Sequence, residues 1–438
     1  MSAVSPAISP PVTGWRCAVC GATSPVADAL TWRCPSAIDG GRHAPRLMQG
    51  IAPLRQSPDP NPFVAFRPYL AWDAFAAARG LSPDERTEIV TSLDAQVAAV
   101  AGTGFRWTPF ERNDGLSDAL GFAPDGGVWV KDETAHVAGS HKARHLFTIL
   151  LHLVTLERLG DAPWPDAGSR RRLAIASCGN AAIAAATLAA AVDWPIDVFV
   201  PPTAGAAVLE RLDALGATVV TCPRVESDPP GDPCVLRFRD AVAAGSVPFG
   251  VQGTENAWCL DGGRTIGWEM ARQMKDGSGP PLDRVFVQVG GGAFAACLAA
   301  GFKMGGIMPR LHAVQTTACA PLERAWRRAE SFGGARAAAA HWDDCMWPWE
   351  HVGTTAADGI LDDETYDWLP LLEAMEDGNG SPVVVGEDLV LEANRRALDD
   401  AGIDASPTGS AGLAGLLAIR SEIDDDERVA VVLSGVRR

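Results

Sequence analysis

Lysine is nearly missing from this chain of 438 residues. Four occur, at positions 131, 142, 275 and 303, and arginine supplies the rest of the 37 basic side chains. Arginine cannot form an imine or act as a base at neutral pH, so chemistry that needs a free amine has few places to look. No block of lysine and arginine interrupts a net charge of −17. Such a surface repels phosphate backbones, which excludes nucleic acid as an expected partner. The longest apolar runs are alanine-rich and short of a membrane span, and no charged segment precedes an apolar one at the N-terminus. No membrane partner is expected, and the expected location is cytoplasmic. Ten cysteines in a chain of this length do not make a secreted disulfide framework and read as buried thiols or local metal ligands.

With 47% hydrophobic residues, the chain has room for two or three domains. Residues 1–14 lack periodicity and are expected to be a disordered tail. The segment 15–50 carries Cys17-Ala-Val-Cys20-Gly21, then Cys34-Pro35, then His43. Cys-x2-Cys before glycine is the geometry of a zinc knuckle, and Cys34 with His43 would complete a closed, structural Cys3His site. A second Cys-x2-Cys is lacking, so a ribbon that keeps its fold without zinc is an equal alternative. Further on, Ser82-Pro-Asp-Glu85 has the features of a helix start, with the helix running to about Val100.

From Val128 the pattern alternates. It predicts strands over 128–131, 172–177, 196–201, 217–221, 284–289, 310–315 and 429–433. Helices are predicted over 141–159, 180–192, 204–215, 262–275, 293–303, 387–401 and 409–421. This is an α/β architecture, doubly wound with mostly parallel sheets, in which ligands sit beyond the carboxyl ends of strands. Lys142 falls in the first turn of a helix, beside free N–H groups and the positive dipole end, which lowers an ammonium pKa and favours the neutral amine of imine chemistry. Lys275 lies in a polar run and reads as surface. Lys131 stands beside Asp132 and Glu133, which would hold it charged.

Three strand ends carry chemistry. Leu173–Ala176 runs into Ser177-Cys178-Gly179-Asn180 and a helix, which makes either a carboxylate site or an ordinary N-cap. Val285–Val289 runs into Gly290-Gly291-Gly292-Ala293-Phe294, a phosphate cradle. The rival dinucleotide reading wants an acidic residue ending the next strand, and that strand ends in Gln315-Thr316. The last strand delivers Ser434 and then Gly435. A scarce amine, a phosphate cradle, a carboxylate site and a lone hydroxyl form the set that pyridoxal phosphate needs.

In order and wording these motifs resemble the fold-type II pyridoxal-phosphate enzymes, the tryptophan-synthase-β-like family, over roughly residues 100–438. The layout is closest to threonine synthase, given the N-terminal ribbon. The resemblance implies that Lys142 carries the internal aldimine and acts as the α-proton base. It also implies that Asn180 bonds the cofactor's phenolic oxygen, that Ser177 and Gly179 hold the substrate carboxylate, and that Gly290 to Phe294 cradle the phosphate. Ser434 would face the pyridine nitrogen, and His141 resembles the histidine beside the phosphate in tryptophan synthase β. Cys178 stands where related dehydratases place a proton-moving hydroxyl, so it is either an acid/base group or a packing residue. The implied architecture is a large domain (51–164 and 259–438) interrupted by a small one (165–258). The implied activity is elimination or replacement on a hydroxy or O-phospho amino acid, threonine-synthase-like. A serine/threonine ammonia-lyase or β-replacement synthase is the alternative, and a non-catalytic scaffold a third. The expected cofactor is pyridoxal 5'-phosphate with a structural Zn2+ as a further candidate, the expected partner an amino acid, and the expected assembly a homodimer.

Overall fold

The computed structural model describes residues 12–30, 32–37, 42–50, 53–55, 57–276 and 281–438. Most of the expected N-terminal tail lies outside these residues, but its last part is a strand: β1 (Val12–Cys17) begins at Val12. It forms an antiparallel three-stranded ribbon with β2 (Thr23–Pro25) and β3 (Pro45–Gln49), in the order β2-β1-β3. The helix Pro83–Ala101 opens with a capping box between Ser82 and Glu85 and ends on Gly102 in the left-handed region.

The main sheet holds β4 (Phe110–Asn113), β5 (Gly127–Asp132), β10 (Arg284–Gln288), β11 (Arg310–Thr316), β12 (Ser381–Val385) and β13 (Arg428–Leu433). Its order is β12-β11-β10-β13-β5-β4, parallel except at β4. Between β5 and β10 the chain builds a second, all-parallel sheet of β6 (Leu173–Ala176), β7 (Ile196–Val200), β8 (Thr218–Thr221) and β9 (Val247–Pro248), in the order β8-β7-β6-β9. Strands such as Val285-Phe-Val and Val429-Ala-Val-Val-Leu433 are buried throughout because helices cover both faces of the sheet. The aromatic segment 341–351 packs against the protein: Trp342, Cys345 and Met346 are buried, and the Arg324 guanidinium lies 3.7 Å from the Trp347 ring centroid.

Lys131 departs from expectation. Successive strand residues face opposite sides, so Asp132 turns away to accept from the Thr134 N–H at 2.8 Å. Lys131 instead pairs with Glu269 at 2.7 Å, and Arg144 binds both Glu269 (2.6 Å) and Glu133 (2.9 Å), all four side chains being fully buried. Two cations and two carboxylates balance there, and burial lowers the Lys131 pKa against the pull of Glu269. Arg144 lies two residues beyond Lys142, so this network anchors the helix Lys142–Leu159 to the helix Cys259–Asp276. Removing one member of a buried pair leaves an uncompensated charge. Arg144→Leu is therefore expected to lower unfolding free energy by about 3–5 kcal/mol in urea titrations.

Candidate active site

Lys142 opens its helix as expected, and among the four lysines its situation is distinct. Lys131 is ion-paired, Lys275 donates to the Gly305 carbonyl at 2.6 Å, and Lys303 reaches Asp377 at 3.3 Å. The Lys142 amine makes no hydrogen bond among the described residues. Desolvation by burial lowers its pKa, opposed chiefly by the charge of Asp362. Both effects match a site that needs a neutral amine with a proton acceptor nearby.

The ends of β10, β13 and β6 meet the starts of three helices here, none carrying a side-chain cap: Lys142–Leu159, Asn180–Ala191 and Ala293–Gly305. The N-cap reading of Ser177 or Asn180 thus gives way, since Gly179 occupies the cap and offers no side chain. The junctions are in contact. His141 Nδ1 donates to the Ser434 carbonyl at 3.1 Å, and its ring lies against Phe294 with centroids 4.0 Å apart. A Cβ on Gly435 would come within 2.5 Å of Asn180 Nδ2 and 3.4 Å of the Ser140 Cβ, so a side chain there would displace the Asn180 amide. Asn180 Oδ1 accepts from Arg438 at 2.8 Å. Lys142, His141, Asn180, Phe294 and Ser434 therefore belong to one site.

In the glycine loop, Gly292 takes a φ of +93°, and side chains on Gly290 or Gly292 would collide with Asp362 and Thr365. Burial pushes the His141 pKa well below the usual imidazole range and holds the ring neutral. With Nδ1 donating, its buried Nε2 has no partner among the described residues, and an anion beside it would favour protonation there. Ser434 Oγ accepts from Gln288 Nε2, which leaves the serine hydrogen free for another acceptor. These features fit pyridoxal phosphate: an amine for its aldehyde, a glycine loop running into a helix start for its phosphate, and a neutral hydroxyl for its ring nitrogen.

Cys178 is exposed, which removes the packing reading. Its thiol pKa is raised, first by desolvation from the walls around it and then by the charges of Asp358, Asp232 and Asp362, so it stands as a proton-bearing thiol. Sequence reasoning missed these acids. Burial pushes Asp362 and Asp363 up to about 6 and Asp367 up to about 7. The available signal was five acidic residues within 358–367 on one loop. Gln288 and His145 were missed too. His145 lies one turn after His141, its Nδ1 on the Cys259 carbonyl at 2.9 Å and its buried Nε2 unpartnered.

In the ribbon, ligand atoms of Cys17, Cys20, Cys34 and His43 all lie within 4.8 Å of one another. The Cys17 Sγ to His43 Nδ1 distance is 3.4 Å and the Cys20 to Cys34 distance 3.5 Å. Burial raises the Cys20 thiol, but the Ala22 N–H together with Cys34, Cys17 and His43 brings it down to about 6. Burial lifts Cys34 to about 12. Three sulfurs and an imidazole gathered this closely could hold a metal ion, and zinc is an ion that takes such donors.

The sequence pattern of the family described as "Pyridoxal-phosphate dependent enzyme" matches residues 102–435. The chain belongs to this family. No curated protein matches it. Among solved structures, it is similar to processed threonine deaminase isoform 2 of Solanum lycopersicum (21% identity, 82% of this chain and 92% of that chain, TM-score 0.59). It is also similar to diaminopropionate ammonia lyase of Escherichia coli (17%, 81% and 90%, TM-score 0.59) and to a fungal L-serine ammonia-lyase from Rhizomucor miehei (17%, 76% and 94%, TM-score 0.56). These likenesses show the fold. No helix among the described residues is long and apolar enough to cross a membrane.

Two outcomes follow from the site. Purified wild type, reconstituted with pyridoxal phosphate, should show a visible cofactor band that Lys142→Ala abolishes. Asp367 is buried with its carboxyl raised from 3.8 to about 7; the folded state then binds more protons than the unfolded one across that window, so stability falls as pH rises through it. Asp367→Asn should therefore raise the Tm at pH 8 and change it little at pH 4.

Proposed function

We propose that this enzyme eliminates ammonia from an amino acid bearing a neutral or cationic β-substituent, in the manner of an ammonia-lyase. The observation that carries the reading is the sign of charge around the reactive end. Asp358, Asp232 and Asp362 are the charges that act most strongly on Cys178, and Asp363 stands beside Asp362. The arginine at this edge, Arg438, is occupied by Asn180 and the Ala138 carbonyl. A phosphate ester carried there would meet carboxylates at close range, and like charges so placed are costly. Threonine-synthase-like chemistry on an O-phospho amino acid is disfavoured for that reason.

The cofactor, when bound, supplies the electron sink for carbanion formation. The chain's own groups do the rest. Lys142 Nζ, kept neutral by desolvation, takes the α-proton. The open N–H groups after Gly179 and the hydroxyl of Ser177 orient the substrate carboxylate. The Cys178 Sγ–H and the Asp362 carboxyl, protonated in part near neutral pH, are placed to supply a proton to the departing group. Ser434, with its oxygen held by Gln288, offers a hydroxyl rather than a carboxylate to the ring nitrogen, which suits elimination. The ammonia-lyases among the similar structures support the reading. Threonine-synthase-like or β-replacement chemistry on a free hydroxy amino acid is a second reading, favoured by the ribbon.

The test is a panel of serine, threonine, homoserine, 2,3-diaminopropionate and the three O-phospho forms, assayed for 2-oxo acid, ammonia and inorganic phosphate. The expected result is 2-oxo acid with ammonia from an unphosphorylated member and no phosphate from any ester. Phosphate release with threonine as product would overturn it. Lys142→Ala should lower the active rate by about 10²–10⁴-fold.

A further inference from the structure

Two of the four ribbon ligands are preceded by arginines that reach the active site's supporting segments. Arg42, before His43, is bidentate to Glu364 at 2.7 and 3.1 Å, and its Nε reaches Asp343 at 3.4 Å. Arg33, before Cys34, ion-pairs with Glu255, which Arg239 also holds at 2.8 Å. Both carboxylates are sunk in the protein, their side chains 9% and 5% exposed. The ribbon is further pinned by the Ala257 N–H donating to the Trp32 carbonyl at 2.9 Å and by Trp15 set edge-on to Trp258.

These targets are not remote from the chemistry. Glu364 stands two residues after Asp362, whose carboxylate lies against Gly290 and acts on Lys142. Glu255 stands two residues after Gly253, whose N–H holds Asp367 at 2.9 Å, and four before Cys259, whose carbonyl holds His145. Three short strands cannot bury enough surface to fix the ribbon by themselves. An ion joining Cys17 and Cys20 to Cys34 and His43 would fix the loop that carries Arg42.

We propose that a zinc-type divalent ion held by Cys17, Cys20, Cys34 and His43 fixes the acidic segment 358–367 over Lys142, with Arg42 as the positioning residue that transmits it. The inference rests on the ribbon binding a metal, and not on which amino acid the enzyme consumes.

The experiment uses the full chain loaded with pyridoxal phosphate. Metal is withdrawn with a chelator while released zinc, the visible cofactor band and backbone hydrogen exchange of peptides covering 358–367 are followed together. Zinc release is expected to raise exchange in that segment about tenfold, within the usual range of coupling between sites, while the visible band persists. In Arg42→Ala exchange should already be raised, with metal removal adding little, and Arg42→Lys should restore part of the protection. Unchanged exchange on full metal release, or equal increments in wild type and Arg42→Ala, overturns the coupling. Absence of bound metal overturns it as well, while a retained visible band in that case leaves the cofactor site standing. Chelation of folded protein keeps the test open where Cys34→Ser does not fold.

Discussion

An amine can attack an aldehyde only when it is neutral, and water keeps amines charged. Lys142 is half-buried, desolvation lowers its pKa, and its nitrogen has no hydrogen-bond partner among the described residues. The rest of the site depends on maintaining that state. The helix that carries Lys142 is anchored two residues later by Arg144 in a balanced, fully buried cluster with Glu133, Glu269 and Lys131. The cluster consumes a second lysine that would otherwise compete for the same aldehyde. Among the described residues, Lys142 is the lysine whose amine has no ion-pair or hydrogen-bond partner.

Around that amine the site is assembled from backbone. Three helices begin without side-chain caps, so their first N–H groups remain available to anions. A side chain on Gly435, just past the last strand, would displace the Asn180 amide. Charge then separates the functions. The uncapped helix starts favour anions, whereas the carboxylates of Asp232, Asp358, Asp362 and Asp363, which act on Cys178 and on one another, oppose them. A substrate with one carboxylate and an uncharged or cationic tail satisfies both halves.

Much of this was legible in the sequence because local rules suffice for it. Buried parallel strands read as continuous apolar runs, and Val285–Val287 and Val429–Leu433 are such runs. Consecutive glycines between a strand and a helix let backbone close around an anion, so Gly290 to Gly292 stood out, as did Ser177 to Asn180 before an alanine-rich helix. What stayed hidden depends on contacts far apart in the chain. Gln288 matters through Ser434, 146 residues away, and the partner of Lys131 is Glu269 rather than the adjacent acids. Nothing local in the segment 358–367 reveals that it folds back onto Gly290. Cys178 was ambiguous for the same reason, since its exposure is set by the walls of the cleft and not by its neighbours in sequence.

The most direct measurement is borohydride reduction of the pyridoxal-phosphate-loaded chain, followed by peptide mapping by mass spectrometry. Reduction freezes the carbon–nitrogen link onto whichever lysine formed it. Labelling confined to the peptide containing Lys142, with Lys131, Lys275 and Lys303 unmodified, is the predicted result. A label on any of the other three with Lys142 unmodified would contradict the assignment of the reactive amine.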